Sequence, residues 1–312
     1  KPYKSQKKAA KAPDGVKERE VELQIADGKK LSGRLTTPAE GKSFPLVILL
    51  AGSGPNDMDE TIYDNKPFQD IAWGLAKKGI ASYRYDKRTY TYPESFTVKD
   101  TVEQEVIFDA VAAFSQMKQQ KQIDTNKIYI LGHSLSGYLI PRIAAETDGC
   151  AGYIMMAAPA RALDELLMEQ VTYLAKLDGN ITKDEQAAID QYKQDQQDLQ
   201  RIDELSDAKI FFGGMSKAYM KDLLSYDAVQ QAADIKVPVL CAQGLRDYQV
   251  TEEDQAIWRK NFETHKNWKF TTYPNATHLM IDGEGTPTNE EYKTKGHVNQ
   301  AFIEDIASFI KK

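Results

Sequence analysis

Cysteine and histidine are scarce in this sequence, with two Cys and four His among 312 residues. Metal-binding sites for zinc and related ions draw on these residue types at short, regular spacings. Here they are too few and wrongly spaced for a ligand set, so the sequence implies no metal and no organic cofactor. Cys150 and Cys241 each lie in or beside an apolar run, which predicts two buried free thiols and no disulfide.

A long hydrophobic run and an excess of basic residues are also missing. No apolar run approaches the roughly 20 residues of a membrane-spanning helix, so we expect no membrane span. The 40 basic and 46 acidic residues give a net charge of −6, which argues against a nucleic-acid partner. The sequence leaves the oligomeric state open.

The first residues have the composition of a tail or linker. Residues 1–15 are rich in Lys, Ala and Pro and have no apolar periodicity. Because the chain begins with Lys1 and not with Met, we expect that a signal peptide or an upstream domain preceded it. Two locations therefore stay open, export and the cytoplasm.

After the tail, strand and helix patterns alternate along the chain. An antiparallel hairpin is predicted over residues 16–36, and the continuous apolar run 44–50 predicts a central strand buried on both faces. Amphipathic helices are predicted over 68–78 and 100–118. This order predicts an α/β fold with a mostly parallel central sheet and helices on both faces.

The alternation is interrupted once, by a polar stretch of helical character. Residues 161–231 are rich in Gln, Asp, Glu and Lys, and the next buried strand begins at Val237. An insertion of this size predicts a helical cap or lid over the active site, with a solvated helical hairpin that does not contact substrate as the alternative. The predicted core therefore comprises residues 16–160 and 232–312, with 161–231 inserted between them.

The stretch Gly132-His-Ser-Leu-Ser-Gly137 joins a buried strand to a helix. A serine on such a corner is held in a tight turn with its hydroxyl above the sheet, as in the nucleophile elbow of serine hydrolases. The usual pattern is G-x-S-x-G, whereas here Ser136 replaces the last glycine and Gly137 follows one place late. Taken alone, the stretch also fits a strand followed by a serine-capped helix.

A serine nucleophile needs a base, and the base needs an acid that fixes its tautomer. In this architecture the three follow in the order Ser, Asp or Glu, His, each at the carboxyl end of a strand. His278 fits, because it lies in the loop after the last strand, on the same sheet edge as Ser134. The other three histidines do not fit: His133 lies next to the nucleophile, His265 before the last strand and His297 before the last helix.

Asp247 is the predicted acid, because it follows the preceding strand directly. Asp254 is the second choice. It is less suitable than Asp247 because it falls about one turn into a helix, away from the strand end. Asp282 follows His278 too closely to be the usual third member. The alternative for Asp247 is a turn or cap carboxylate, and for His278 a solvated loop histidine.

The reaction also needs N–H groups that stabilise the oxyanion of the tetrahedral intermediate. One should be the backbone N–H of Leu135, at the helix start just after the nucleophile. The second is expected in the Gly-rich loop after the strand 44–50, at the backbone of Ser53. A plain tight turn is the alternative for this loop.

These motifs resemble the α/β-hydrolase fold of bacterial serine esterases and peptidases, over residues 16–312. Three patterns carry the resemblance: Leu50-Ala-Gly-Ser-Gly-Pro-Asn-Asp57, Gly132-His-Ser-Leu-Ser-Gly137, and Gly244-Leu-Arg-Asp247 together with Asn275-Ala-Thr-His278. The first is typical of a subgroup of bacterial hydrolases with a Gly-Ser-Gly-Pro loop. Ala51 stands where the family's oxyanion loop usually has histidine, which need not matter because the donor is a backbone N–H.

The resemblance implies a serine hydrolase with the triad Ser134, His278 and Asp247, acting on small-molecule esters of short to medium acyl chains. The first alternative is an aminopeptidase or acyl-peptidase that acts on short peptides. It would need a carboxylate in the cap to bind the substrate amine, and the candidates are Glu165, Glu169 and Asp178. The second alternative, which rests on Ser136, is a non-catalytic binding protein of the same fold.

Overall fold

A computed structural model describes residues 10–311. Residues 1–9 of the predicted tail lie outside the described residues. In chain order the strands are β1 (Val16–Glu20), β2 (Leu23–Gln24), β3 (Lys30–Leu31), β4 (Gly33–Pro38), β5 (Phe44–Leu50), β6 (Ala81–Tyr85), β7 (Ile123–His133), β8 (Gly152–Met156), β9 (Ile210–Phe211), β10 (Met215–Ser216), β11 (Val239–Gly244) and β12 (Trp268–Tyr273). The α-helices are α1 (Pro67–Ala76), α2 (Arg88–Thr91), α3 (Phe108–Met117), α4 (Leu135–Tyr138), α5 (Ile140–Glu146), α6 (Leu163–Ala175), α7 (Lys183–Leu199), α8 (Lys217–Leu224), α9 (Ala228–Ala232), α10 (Glu252–Phe262) and α11 (Gln300–Ile310).

Eight of the strands form one sheet in the order β1-β4-β6-β5-β7-β8-β11-β12. The six strands from β6 to β12 pair in parallel, whereas β1 and β4 form an antiparallel hairpin at one edge. The predicted α/β fold with a mostly parallel sheet is therefore confirmed. Parallel strands end at the same edge, so the loops after β5, β7, β11 and β12 meet there.

Successive residues of the central strand β5 face opposite sides of the sheet. Leu46 and Ile48 pack in an apolar layer with α3, whereas Val47 and Leu49 pack in a second layer with α1 and α11. All four side chains are buried. Helices on both faces explain why this strand is a continuous apolar run and not an alternating one.

Two predicted helices are irregular at points that bear on the site. The helix predicted over 100–118 begins with a π-helical turn, Glu103–Ile107, before α3 continues it. The helix after the elbow is divided into α4 and α5 next to Pro141, which has no backbone N–H to donate. Single π-helical turns inside α-helices occur often at functional sites.

Residues 161–231 contain α6 to α8, all of α9 but its last residue, and the short antiparallel pair of β9 and β10. Thr182 caps α7 reciprocally with Glu185, which fixes where this helix begins. Among residues 10–311, each helix is too short or too polar to cross a bilayer.

Both cysteines are buried and free, as predicted. Burial raises the pKa of the Cys150 thiol to about 11 and that of Cys241 to about 12. A thiol in such surroundings stays protonated at neutral pH and is chemically inert.

Candidate active site

Ser134 lies at the corner between β7 and α4. Its backbone has φ 52° and ψ −117°, a conformation that residues other than glycine rarely adopt. The turn is packed closely on both sides. A methyl group at Gly132 would approach the Ser136 carbonyl oxygen to 2.4 Å, and one at Gly137 would approach the Ala158 side chain to 2.7 Å. The glycines at 132 and 137 are therefore required by the turn, and the strained serine is aimed out of it.

Ser136, the departure from the usual motif, is fully buried and has a defined partner. Its Oγ donates a short hydrogen bond of 2.5 Å to the carbonyl oxygen of Ala51. The side chain thus fits the turn and ties the elbow helix to the loop after β5. After the serine of the motif, close packing excludes a side chain at Gly137, one residue later than in the usual pattern.

His278 and Asp247 meet at the same sheet edge, after β12 and β11. His278 Nδ1 lies 2.6 Å from Asp247 Oδ2. The other carboxylate oxygen of Asp247 accepts the backbone N–H groups of Gln249 and Val250, at 2.8 and 2.9 Å. Asp247 is therefore fixed as an acceptor, and a neutral His278 imidazole with its proton on Nδ1 would donate to it and leave Nε2 as an acceptor.

Ser134 and His278 are not hydrogen-bonded to each other. Neither the Ser134 hydroxyl nor His278 Nε2 has a hydrogen-bonding partner among residues 10–311. Catalytic hydrogen bonds are often long in a free enzyme and shorten when substrate is bound. The structure thus brings His278 and Asp247 together directly and leaves the serine hydroxyl open to the cavity, whose lining includes Ser134.

The loop after β5 is held on both sides of Ser53. Three buried charged side chains bind the neighbouring peptide groups: the Gly52 N–H donates to Glu60 at 2.7 Å, the Gly52 carbonyl accepts from Lys87 at 2.7 Å, and the Gly54 N–H donates to Glu105 at 3.2 Å. Among the hydrogen bonds of the described residues, none uses the N–H of Ser53 or of Leu135. Since a methyl group at Gly52 would lie 3.2 Å from Ser134 Cβ, this loop is in contact with the elbow.

A second histidine–carboxylate pair lies directly beneath the elbow. His133 Nδ1 is 2.8 Å from Glu60 Oε1, and its Nε2 is 2.8 Å from the backbone carbonyl oxygen of His278. Both ring nitrogens thus face acceptors, as in an imidazolium ion. Burial alone would lower the pKa of His133, but the Glu60 carboxylate outweighs it and the pKa is raised. For Glu60, burial opposes ionisation, yet the charge of His133 and the hydrogen bonds from His133 and Gly52 lower the pKa.

A cavity of about 630 Å³ opens beside Ser134. Much of its apolar lining comes from three places, the segment after α2, helix α6 and the β9–β10 pair; these residues are Phe96, Val98, Leu163, Leu166, Leu167, Ile210 and Met215. Ser53 and Leu135 also line it, together with Ser134.

The carboxylates considered as anchors for a substrate amine do not line this cavity. Glu165 and Asp178 are exposed, and Glu169 binds Arg161. Asp254, the second choice for the triad acid, accepts hydrogen bonds from the backbone and guanidinium of Arg161 and has no contact with His278. The carboxylate that does line the cavity, Glu105, is paired with Lys87.

Three residues of the site were not identified from the sequence, namely Glu60, Lys87 and Glu105. The contacts of His133 were not predicted either. Lys87 carried one available signal, since a lysine just after a buried strand at this sheet edge lies near the loops of the site. Glu60 pairs with His133, 73 residues further along the chain, and Glu105 with Lys87, 18 residues before it, so neither ion pair follows from a local pattern. Within residues 10–311 no group of three or more His, Cys, Asp or Glu side chains forms a candidate metal site.

Known proteins resemble this chain in both sequence and fold. The family described as serine aminopeptidase, S33, matches residues 65–285. Over 302 residues the chain is 40% identical to Esterase EstD of Thermotoga maritima, with 96% of this chain and 70% of that protein covered.

Two solved structures share the fold at low sequence identity. Est1E from Butyrivibrio proteoclasticus matches with a TM-score of 0.59 at 18% identity, over 94% of this chain and 99% of that one. The Pyrococcus furiosus esterase Pf2001 matches with a TM-score of 0.58 at 18% identity, over 95% and 91%.

Proposed function

Because this chain belongs to the serine aminopeptidase S33 family of α/β-hydrolase-fold serine hydrolases, we propose that it cleaves carboxylic esters by acyl transfer. The observation that carries the proposal is the 2.6 Å contact of His278 with Asp247, at the sheet edge where the strained Ser134 elbow opens to a cavity. The 40% identity to a protein named as an esterase supports the ester over the peptide alternative.

Each triad residue has a distinct role in the proposed reaction. His278 Nε2 accepts the proton of the Ser134 hydroxyl as its oxygen attacks the ester carbonyl. Asp247 holds the imidazole and stabilises the imidazolium that forms. The proton then passes to the leaving alcohol, and a water activated by the same histidine hydrolyses the acyl-enzyme.

The backbone N–H groups of Ser53 and Leu135 are the proposed oxyanion hole. Both are free of protein partners among the described residues and both residues line the cavity, whereas the N–H groups of Gly52 and Gly54 are already engaged. Donors fixed in place before the reaction stabilise developing charge without having to reorganise.

The cavity favours an ester with an uncharged acyl chain. Its leucine-rich wall suits an alkyl or aryl group, and about 630 Å³ accommodates a short to medium chain. An aminopeptidase would need an available carboxylate to bind the substrate amine, and Glu105 is already paired with Lys87. We therefore assign small-molecule esters as substrates.

Residues 161–231 are proposed to act as the cap of this cavity. Leu163, Leu166 and Leu167 of α6 line it, and so does Ile210. Tyr219 of α8 also reaches the core, where its hydroxyl donates to Glu105 at 2.7 Å. These contacts favour a cap over a helical hairpin that has no contact with substrate.

Hydrolysis of p-nitrophenyl esters of graded chain length, beside aminoacyl p-nitroanilides, tests the proposal. We expect ester turnover that is greatest for short to medium chains and lost in Ser134→Ala, and labelling of Ser134 by a fluorophosphonate. Turnover that survives Ser134→Ala would refute the mechanism. Faster cleavage of the anilides would identify a peptidase, and absence of turnover and labelling a binding protein.

A further inference from the structure

Lys87 is a buried lysine that the proposed reaction does not use. It lies two residues after the end of β6, the strand next to β5 in the sheet, and its side chain is 5% exposed. The ammonium group donates to the Gly52 carbonyl at 2.7 Å and to Glu105 Oε1 at 2.6 Å. Burying an ammonium is costly unless it is paired and hydrogen-bonded, so the fold maintains this charge at a specific place.

The Gly52 carbonyl and the Ser53 N–H belong to one peptide group. A cation bound to the carbonyl oxygen withdraws electron density from the amide and strengthens its N–H as a donor, because hydrogen bonds in series polarise one another. The bond also fixes the orientation of the peptide plane, since the neighbouring Gly52 N–H is held by Glu60.

We propose that Lys87 is a positioning residue of the oxyanion hole, which orients and polarises the Gly52–Ser53 peptide group so that the Ser53 N–H stabilises the oxyanion. The inference rests on the proposed function, and it adds a residue that touches neither substrate nor nucleophile. Its action is electrostatic and takes effect in the transition state, where the charge on the substrate oxygen develops.

Glu105 holds Lys87 in this position. The π-helical turn directs this carboxylate to Lys87 and the Gly54 N–H, and its second oxygen accepts the Tyr219 hydroxyl at 2.7 Å. A purely structural role would make Lys87 only the partner that neutralises Glu105. The two roles differ in what happens when both charges are removed together.

A double-mutant cycle separates the two roles. The variants are Lys87→Met, Glu105→Gln and Lys87→Met/Glu105→Gln, and the last removes both charges without leaving a buried one unpaired. Lys66→Met is the control, because Lys66 pairs with Asp59 at 3.0 Å and makes no hydrogen bond to Gly52, Ser53 or Gly54. Melting temperature identifies any variant that fails to fold.

Two measurements report on the oxyanion. The first is kcat and KM for p-nitrophenyl butyrate. The second is the pKa of the hemiketal that Ser134 forms with an alkyl trifluoromethyl ketone, followed by NMR through an isotope label on the carbonyl carbon. The ionised hemiketal places an oxyanion in the hole, so its pKa rises when the hole is weakened, whereas lost stability alone leaves it unchanged.

We expect kcat of the double variant to fall about tenfold relative to Glu105→Gln, with KM little changed and a higher hemiketal pKa. This is less than the roughly 100- to 1,000-fold lost when an oxyanion donor is removed altogether. Lys66→Met should match the wild type in both measurements.

If Lys87 only neutralises Glu105, the double variant will have the kcat and hemiketal pKa of Glu105→Gln, and the proposal is overturned. The comparison holds even where Lys87→Met alone does not fold. Failure of the proposed function has a different signature, namely ester turnover that persists in Ser134→Ala and no hemiketal signal in the wild type.

Discussion

The imidazole of His133 is hydrogen-bonded to the backbone of His278, with 2.8 Å between His133 Nε2 and the His278 carbonyl oxygen. The residue before the proposed nucleophile therefore positions the loop that carries the proposed base. Through Glu60, the same ring is connected to the Gly52 N–H. One buried ion pair thus links the elbow, the loop that carries His278 and the loop after β5.

Replacing Glu60 with Gln should lower kcat by roughly ten- to a hundredfold, because small displacements of reacting groups are costly. The stability that His133 gains from its raised pKa is present below its ordinary value of 6.5 and is lost as pH rises through the raised value. Without the Glu60 charge, the pKa of His133 falls and the imidazole loses its proton at lower pH. The alkaline decline of kcat should therefore begin at lower pH than in the wild type. The pH profile of kcat measures this, with exposed Glu165→Gln as control. An unshifted alkaline limb would contradict it.

Ser136→Gly restores the usual motif, yet it should lower the free energy of unfolding of the protein. The substitution removes the hydrogen bond to Ala51 and leaves that buried carbonyl without its donor, at a cost of about 1–3 kcal/mol in the free energy of unfolding. Urea unfolding measures the loss, and Ser136→Ala separates the hydrogen bond from the flexibility of glycine. A Ser136→Gly variant as stable and active as the wild type would show that the serine is merely tolerated.

Leu167→Trp should shift the preferred acyl chain to shorter lengths. Leu167 lines the cavity from α6, and a larger side chain there occupies space that the acyl group would fill. The relative kcat/KM for p-nitrophenyl esters of graded chain length measures the shift. Leu174→Trp is the matched control, because Leu174 is exposed on the same helix and does not line the cavity. Equal profiles for the two variants would contradict the proposed cap.

Asp86→Asn should stabilise the protein at neutral pH. Burial, together with Asp57 and Asp59, raises the pKa of Asp86 to about 6. The folded chain therefore keeps a proton that the unfolded chain releases near 3.8, so the free energy of unfolding falls as pH rises between these values. An asparagine oxygen can still accept the Met58 N–H, and the expected gain at pH 7 is on the order of 1–3 kcal/mol.

Unfolding in urea at pH 4 and pH 7 measures this effect. The gain should be present at pH 7 and largely absent at pH 4, where most of the carboxyl groups at this position are protonated in the folded protein. Asp178→Asn, on an exposed turn, should show no such difference. An equal gain at both pH values would mean that the charge of Asp86 is not its cause.

The sequence predicted the sheet and the positions of the triad candidates because both follow from local patterns. Ser134, Asp247 and His278 each come after a run of strand-forming residues, and parallel strands bring such ends to one edge. The fold class predicted this way is confirmed by the sheet order and by the related structures.

The charged residues that bind the loop after β5 could not be predicted in this way. Glu60 lies in a loop and Glu105 in a π-helical turn, and neither position follows from apolar periodicity. Their roles depend on side-chain contacts across the fold, which a single sequence does not encode locally. Ser136 is similar, since its acceptor lies 85 residues earlier in the chain.

The inertness of Cys150 and Cys241 makes the native chain a suitable background for spectroscopic labelling. Maleimide reagents react with exposed thiolates, which these two buried thiols do not supply at neutral pH. A cysteine introduced at exposed Asp178 would thus be modified selectively, without removing either native residue. A fluorophore placed there would report, in the otherwise unaltered protein, whether residues 161–231 move during a single turnover.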